Sequence, residues 1–187
     1  MRLVLSLLLF LIFLLVQNNI SDHFFQKKSS QYLQYLKTLE AIELNYDAAY
    51  NNRGVSKHNL DDNYGAIADY TKEIELNPDF AEAFYNRGIA KNDLKDYYGE
   101  IADFTKAIEL NPDYAEAYYN RGIAKNDLED YYGAITDNTK AIELNPDFAK
   151  AYYNRGLAKY YLDDLNGACL DVRKSVNLGY TDSQDSV

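Results

Sequence analysis

The sequence predicts an all-α chain built by stacking small two-helix units, and three observations carry that prediction. The arginines Arg53, Arg87, Arg121 and Arg155 stand 34 residues apart. The prolines Pro78, Pro112 and Pro146 keep the same interval. Around the arginines the chain repeats itself: Tyr-Asn-Arg-Gly ends at Gly88, Gly122 and Gly156, with Asn51-Asn52-Arg53-Gly54 as a variant. A fixed period of this length belongs to arrays in which each unit leans only on its neighbours, not to one closed core.

The units run over 47–80, 81–114, 115–148 and 149–182. The middle two differ only at Phe84/Tyr118, Lys95/Glu129, Glu100/Ala134, Ala102/Thr136, Phe104/Asn138 and Tyr114/Phe148. The first helix of the second unit is predicted from about Ala81 to Leu94. Asp79 is read as its N-cap and Glu82 as completing a capping box, with Asp113 and Glu116 doing the same one unit on. In the fourth unit Asp147 faces Lys150 and the box is lost. The second helix follows Asp96, whose counterparts Asp62, Asp130 and Asp164 are expected caps. Ile101, Phe104 and Ile108 give it an apolar stripe at helical spacing. It should end at Asn111, because Pro112 disfavours helix in the residue before it.

Ahead of the units, Leu3 to Val16 form an apolar run broken only by Ser6, with Arg2 in front. A helix of that length reaches about 21 Å, short of a hydrocarbon core of roughly 30 Å. Residues 1–20 are therefore read as a signal peptide or membrane anchor, which makes the chain exported or membrane-anchored. A cytoplasmic location is the alternative. Residues 21–32 read as a polar linker. Residues 33–46 read as a helix whose end, Ala41 to Asn45, copies Ala107 to Asn111 and so caps the array as a partial repeat. Residues 183–187 are a tail.

With 29 acidic and 19 basic residues the formal charge is −10, which weighs against nucleic acid and anionic membrane surfaces as partners. Contact with a membrane is expected only through the N-terminal segment. Cys169 is the sole cysteine, so no internal disulfide forms. Nineteen tyrosines and no tryptophan suit helical packing and an amphipathic groove.

A helix pair in 34 residues, with glycine early in the first helix, alanine in the second and proline at the exit, resembles the tetratricopeptide repeat. The likeness covers Asp47 to about Asp182 and rests on Gly54, Gly88, Gly122 and Gly156, on Ala66, Ala134 and Ala168, on Tyr70 and Phe104, and on the prolines. It implies a right-handed α-solenoid of helix-turn-helix units, about four full repeats behind an N-terminal half repeat. Three positions depart from it: Glu100 stands in the alanine column, Asn138 in the aromatic one, and Tyr180 in place of proline. Looser packing is expected around Glu100.

The resemblance implies that the first helices line an inner, concave surface. Asn52, Asn86, Asn120 and Asn154 would then form a ladder whose amides suit the backbone of an extended peptide. Tyr85, Tyr119 and Tyr153 beside it could supply apolar contact, and Glu82 and Glu116 would favour a basic or neutral segment. The competing explanation is that asparagine is a solvated residue copied by duplication. The lysine and asparagine clamp with which some family members hold acidic chaperone tails is absent, because Asn51, Tyr85, Tyr119 and Tyr153 and Val55, Ile89, Ile123 and Leu157 fill its columns.

Each unit carries an Asp sixteen residues after its Arg: Arg53/Asp69, Arg87/Asp103, Arg121/Asp137 and Arg155/Asp171. These predict ion pairs bridging the two helices, with Lys57, Lys91, Lys125 and Lys159 competing for the same carboxylates. No catalytic residue, metal site or cofactor motif emerges, so the chain is not expected to be an enzyme. His23 and His58 are isolated, and Cys169, in the column of Ile67, Ile101 and Ile135, is expected in the core. No capping helix is visible after Val176, so the outer side of the helix holding Cys169, Val172 and Val176 is expected to stay exposed.

The functional expectation is a protein-interaction scaffold that takes an extended partner segment in its groove. The alternatives are a structural module that self-associates through its uncapped C-terminal helix, and a non-catalytic accessory subunit of an enzyme.

Overall fold

The structure, a computed structural model, describes residue 34 and residues 49–181. The leader, linker, partial-repeat and tail readings lie outside the described residues, apart from Gln34, which is helical. Within the described residues 49–181 there are eight helices and no strand. They are α1 (49–58), α2 (Asn63–Leu76), α3 (Ala81–Asp93), α4 (Tyr97–Leu110), α5 (Ala115–Asp127), α6 (Tyr131–Leu144), α7 (Ala149–Tyr161) and α8 (Leu165–Asn177).

Each helix packs on the next along the chain, and the first helices of the third and fourth units, α5 and α7, also touch. The core is accordingly a string of small clusters that straddle unit boundaries. One joins Phe84, Ala107, Ile108 and Ala117; the next joins Ala141, Ile142 and Ala151, with Tyr118 and Tyr152 packed against it. Small residues are required where the helices meet. A Cβ on Gly54 would lie 2.6 Å from the Tyr70 ring, and one on Gly88 2.7 Å from Phe104.

The second helices begin as expected. The carboxylates of Asp62, Asp96, Asp130 and Asp164 accept the N–H groups of Gly65, Gly99, Gly133 and Gly167 at 2.9–3.1 Å. The residue before each cap, Asp61, Lys95, Glu129 and Asp163, sits in the left-handed region with φ near 60°. The first helices correct the expectation. Phe80, Tyr114 and Phe148 occupy the N-cap positions and none of them caps through its side chain. Asp113 and Asp147 instead sit in the exit turn, where their N–H groups donate to the Asn111 and Asn145 side chains at 3.3 and 3.2 Å. The aromatic that follows enters the core, so the helix starts beyond it.

Asn138 is fully buried where the other units have an aromatic ring. Its amide donates to Ala134 O at 2.9 Å within its own helix, and its Oδ1 has no partner. Asn138→Phe restores the ring that faces Gly88 in the second unit and removes an unsatisfied acceptor. We expect stabilisation of about 2 kcal/mol, read as a higher urea midpoint with an unchanged slope.

Candidate functional site: the face of the first helices

The residues that set each first helix in place are the ion pairs. Arg87 reaches from α3 to α4, donating from Nε to Asp103 at 2.9 Å and from Nη2 at 2.6 Å. Lys91 adds a contact at 2.7 Å to the same carboxylate, so arginine and lysine share it instead of competing. Arg121 and Lys125 treat Asp137 alike, as do Arg155 and Lys159 with Asp171, and Arg53 and Lys57 with Asp69. The aspartates are almost fully shielded. The bond from Arg53 holds the Asp69 carboxyl below its ordinary value. At Asp171 burial pushes upward, and Arg155 and Lys159 more than offset it.

Sequence reasoning missed the link between units. Arg87, Arg121 and Arg155 also donate to Thr71, Thr105 and Thr139 of the preceding unit at 3.0–3.2 Å. Each of these arginines lies over the aromatic three residues before it, at 5.4–5.6 Å. Threonine sixteen residues before arginine was a readable signal.

Two of the asparagines are tied across units as well. Asn86 donates to Asn51 Oδ1 at 3.1 Å and Asn120 donates to the Tyr85 hydroxyl at 2.9 Å, whereas Asn154 donates to Lys150 O of its own helix at 3.3 Å, with Tyr119 nearby. The Asn86 and Asn120 amides thus spend one N–H each on the neighbouring unit and keep Oδ1 as an acceptor. Asn52 is exposed. The tyrosine rings are engaged too: Tyr85 stacks on Tyr114 at 4.7 Å, Tyr119 meets Phe148 at 4.8 Å, and Tyr153 meets Tyr180 at 4.9 Å. Between α3 and α5 lies a small concavity lined by Ile89, Asn92, Asn120 and Ile123, with Phe104 of α4 also on its wall. Glu82 and Glu116 are exposed on the same two helices.

Family models described as "Tetratricopeptide repeat" match residues 47–80 and 115–148, and one described as "TPR repeat" matches residues 92–128. The chain is a tetratricopeptide repeat protein. No curated protein matches it at a significant level. Among solved structures, it is similar to MamA 41-end from Desulfovibrio magneticus RS-1, with 27% identity over 91% of this chain and 96% of that one and a TM-score of 0.68. A crystal structure of MamA matches at 24% identity over 84% and 94%, TM-score 0.69. The first TPR of Spaghetti (RPAP3) bound to the HSP90 peptide SRMEEVD matches at 26% identity over 63% and 93%, TM-score 0.62.

The tetratricopeptide pattern is broken most sharply at Glu100. Ala66 and Ala134 fill this column with no exposure, and Glu100 is equally buried. Neither carboxylate oxygen accepts a bond of good geometry. Burial, the largest cause, pushes its carboxyl up to about 7; Asn92 nearby pulls it down, while Asp127, Asp96 and Asp93 push it further up. The Glu100 side chain is enclosed, with no exposure to solvent.

Cys169 is exposed, contrary to expectation, because its column faces the next unit and α8 has none on it among the described residues. Leu165, Leu170, Val172 and Val176 are exposed with it. His58 is half-buried, its Nε2 lying 2.8 Å from an Asp93 carboxylate oxygen. Among the described residues, no cluster of His, Cys, Asp and Glu could hold a metal ion, and no helix is long and apolar enough to cross a membrane.

Proposed function

We propose that the array binds an extended polypeptide segment along its first helices, as a scaffold without chemistry of its own. The observation that carries this is the pair of asparagine oxygens of Asn86 and Asn120, each oriented by a bond between units and set beside the apolar Ile89 and Ile123. Such a pair can accept N–H groups of an extended backbone while the isoleucines take alternate side chains.

Charge selects the segment. Glu82, Glu116, Asp93 and Asp127 are exposed on α3 and α5. Lys91 and Lys125 are held by Asp103 and Asp137. An acidic peptide of the SRMEEVD kind meets repulsion here, so the partner is basic or neutral.

The test is selection from a random-sequence library of twelve-residue peptides on the full chain. We expect enriched peptides whose affinity falls at least tenfold when Asn52, Asn86, Asn120 and Asn154 are all replaced by alanine, at a temperature where both proteins are folded. Ile123→Lys, which leaves the bonds between units in place, should reduce binding as well. Equal affinity for all three proteins rejects the groove.

The face of α8 that no described element covers favours a second reading, self-association through that face. Sedimentation should then show association that Leu170→Lys and Val176→Lys abolish, whereas a strict monomer at high concentration rejects it. For residues 1–20 we propose export or anchoring, and fractionation of cells expressing the full chain decides it.

A further inference from the structure

We infer that the groove holds a subsite for a cationic side chain, a lysine or arginine of the bound segment, at Glu100 where the second and third units meet. This rests on the groove reading and deepens it. Burying a carboxylate without a partner is costly, and the cost is absent from units that carry alanine in this column. No resident cation repays it, and Asn92 offsets it only in part. The acidic groups Asp93 on α3, Asp96 before α4 and Asp127 on α5 surround Glu100, and Asp93 is engaged with His58 of α1. The nearest units' cations are committed elsewhere: Arg87 and Lys91 to Asp103, Arg121 and Lys125 to Asp137.

Access comes through the concavity. Asn92 is beside the Glu100 carboxyl and also lines the opening between α3 and α5. Ile89 and Ile123 on its walls suit the methylene stem of a lysine or arginine, and the Asn120 oxygen can accept from the charged head. A small shift of the Asn92 side chain would bring that head to the carboxylate. A neutral residue could fill the opening but leaves the carboxylate unpaired, so the geometry specifies charge as well as shape.

The experiment is the same twelve-residue peptide selection, run on the full-length wild type, Glu100→Ala and Glu100→Gln. Alanine is native to this column in the sister units, so the variant folds. We expect wild-type binders to carry lysine or arginine at one fixed position, and that preference to vanish in both variants while the other positions persist. Replacing the selected basic residue by norleucine should weaken binding to wild type at least tenfold and leave binding to Glu100→Ala unchanged. Binders with no fixed basic residue, or an equal norleucine loss on both proteins, overturn the subsite and leave the groove standing. A selection that enriches nothing overturns both.

Discussion

Glu100→Ala is expected to stabilise the array, by an amount that grows as the pH rises from 5 to 8. The folded chain raises this carboxyl from 4.5 to about 7, chiefly by burial. A raised acid binds its proton more tightly when folded than when unfolded, so stability falls as pH climbs between the two values and the full penalty applies above about 7. The displacement corresponds to roughly 3 kcal/mol at pH 8, or several degrees in melting temperature for a chain of this size. At pH 5 most of that difference should be gone. The carboxylates of Asp69 and Asp171 act in the opposite sense: their stabilisation is present above the unfolded value of 3.8 and is lost only as pH falls through their lower folded values. They therefore leave the interval from 5 to 8 clear. Urea titrations of wild type and variant at pH 5, 6, 7 and 8 check the prediction, and a difference independent of pH contradicts it.

The second large effect belongs to the bridging aspartates. Asp103→Asn leaves Arg87 and Lys91 facing each other without their shared anion, in a place where the carboxylate is only 4% exposed. Breaking one side of a shielded pair typically destabilises by about 3–5 kcal/mol. In a cycle with Arg87→Met the coupling energy should exceed about 1 kcal/mol, beyond what a surface pair gives. The same cycle on Arg53 and Asp69 should give less, since the Arg53 side chain is 58% exposed against 17% for Arg87. No coupling at Arg87 and Asp103 rejects the bridge.

What the sequence could and could not announce follows from the range of each interaction. The 34-residue period is one-dimensional information, so helices, units and the arginine–aspartate spacing could be read directly. The caps divide. Asp96 bonds a backbone N–H three residues away, a local matter that propensity captures. Asp79 looked equivalent, but packing of the aromatic that follows it moved the helix start, and packing is not local. The left-handed turn at Lys95 and Glu129 carries no glycine and left no signal. At Glu100 the unusual residue was visible, yet whether the chain loosens around it or encloses it depends on three helices at once. The asparagine columns were legible as a pattern; their bonds to Asn51 and Tyr85 of the preceding unit needed the spatial offset between units.

The central claim is that the first helices, and not another face, receive a partner segment. Photo-crosslinking tests it most directly: a photoreactive phenylalanine analogue is placed at Ile89 or Ile123 on the groove, or at the exposed Tyr98 or Tyr132 of the second helices. A library-selected peptide should be captured at the two groove positions and not at the two tyrosine positions. Capture at Tyr98 and Tyr132 with none at Ile89 and Ile123 would contradict the account.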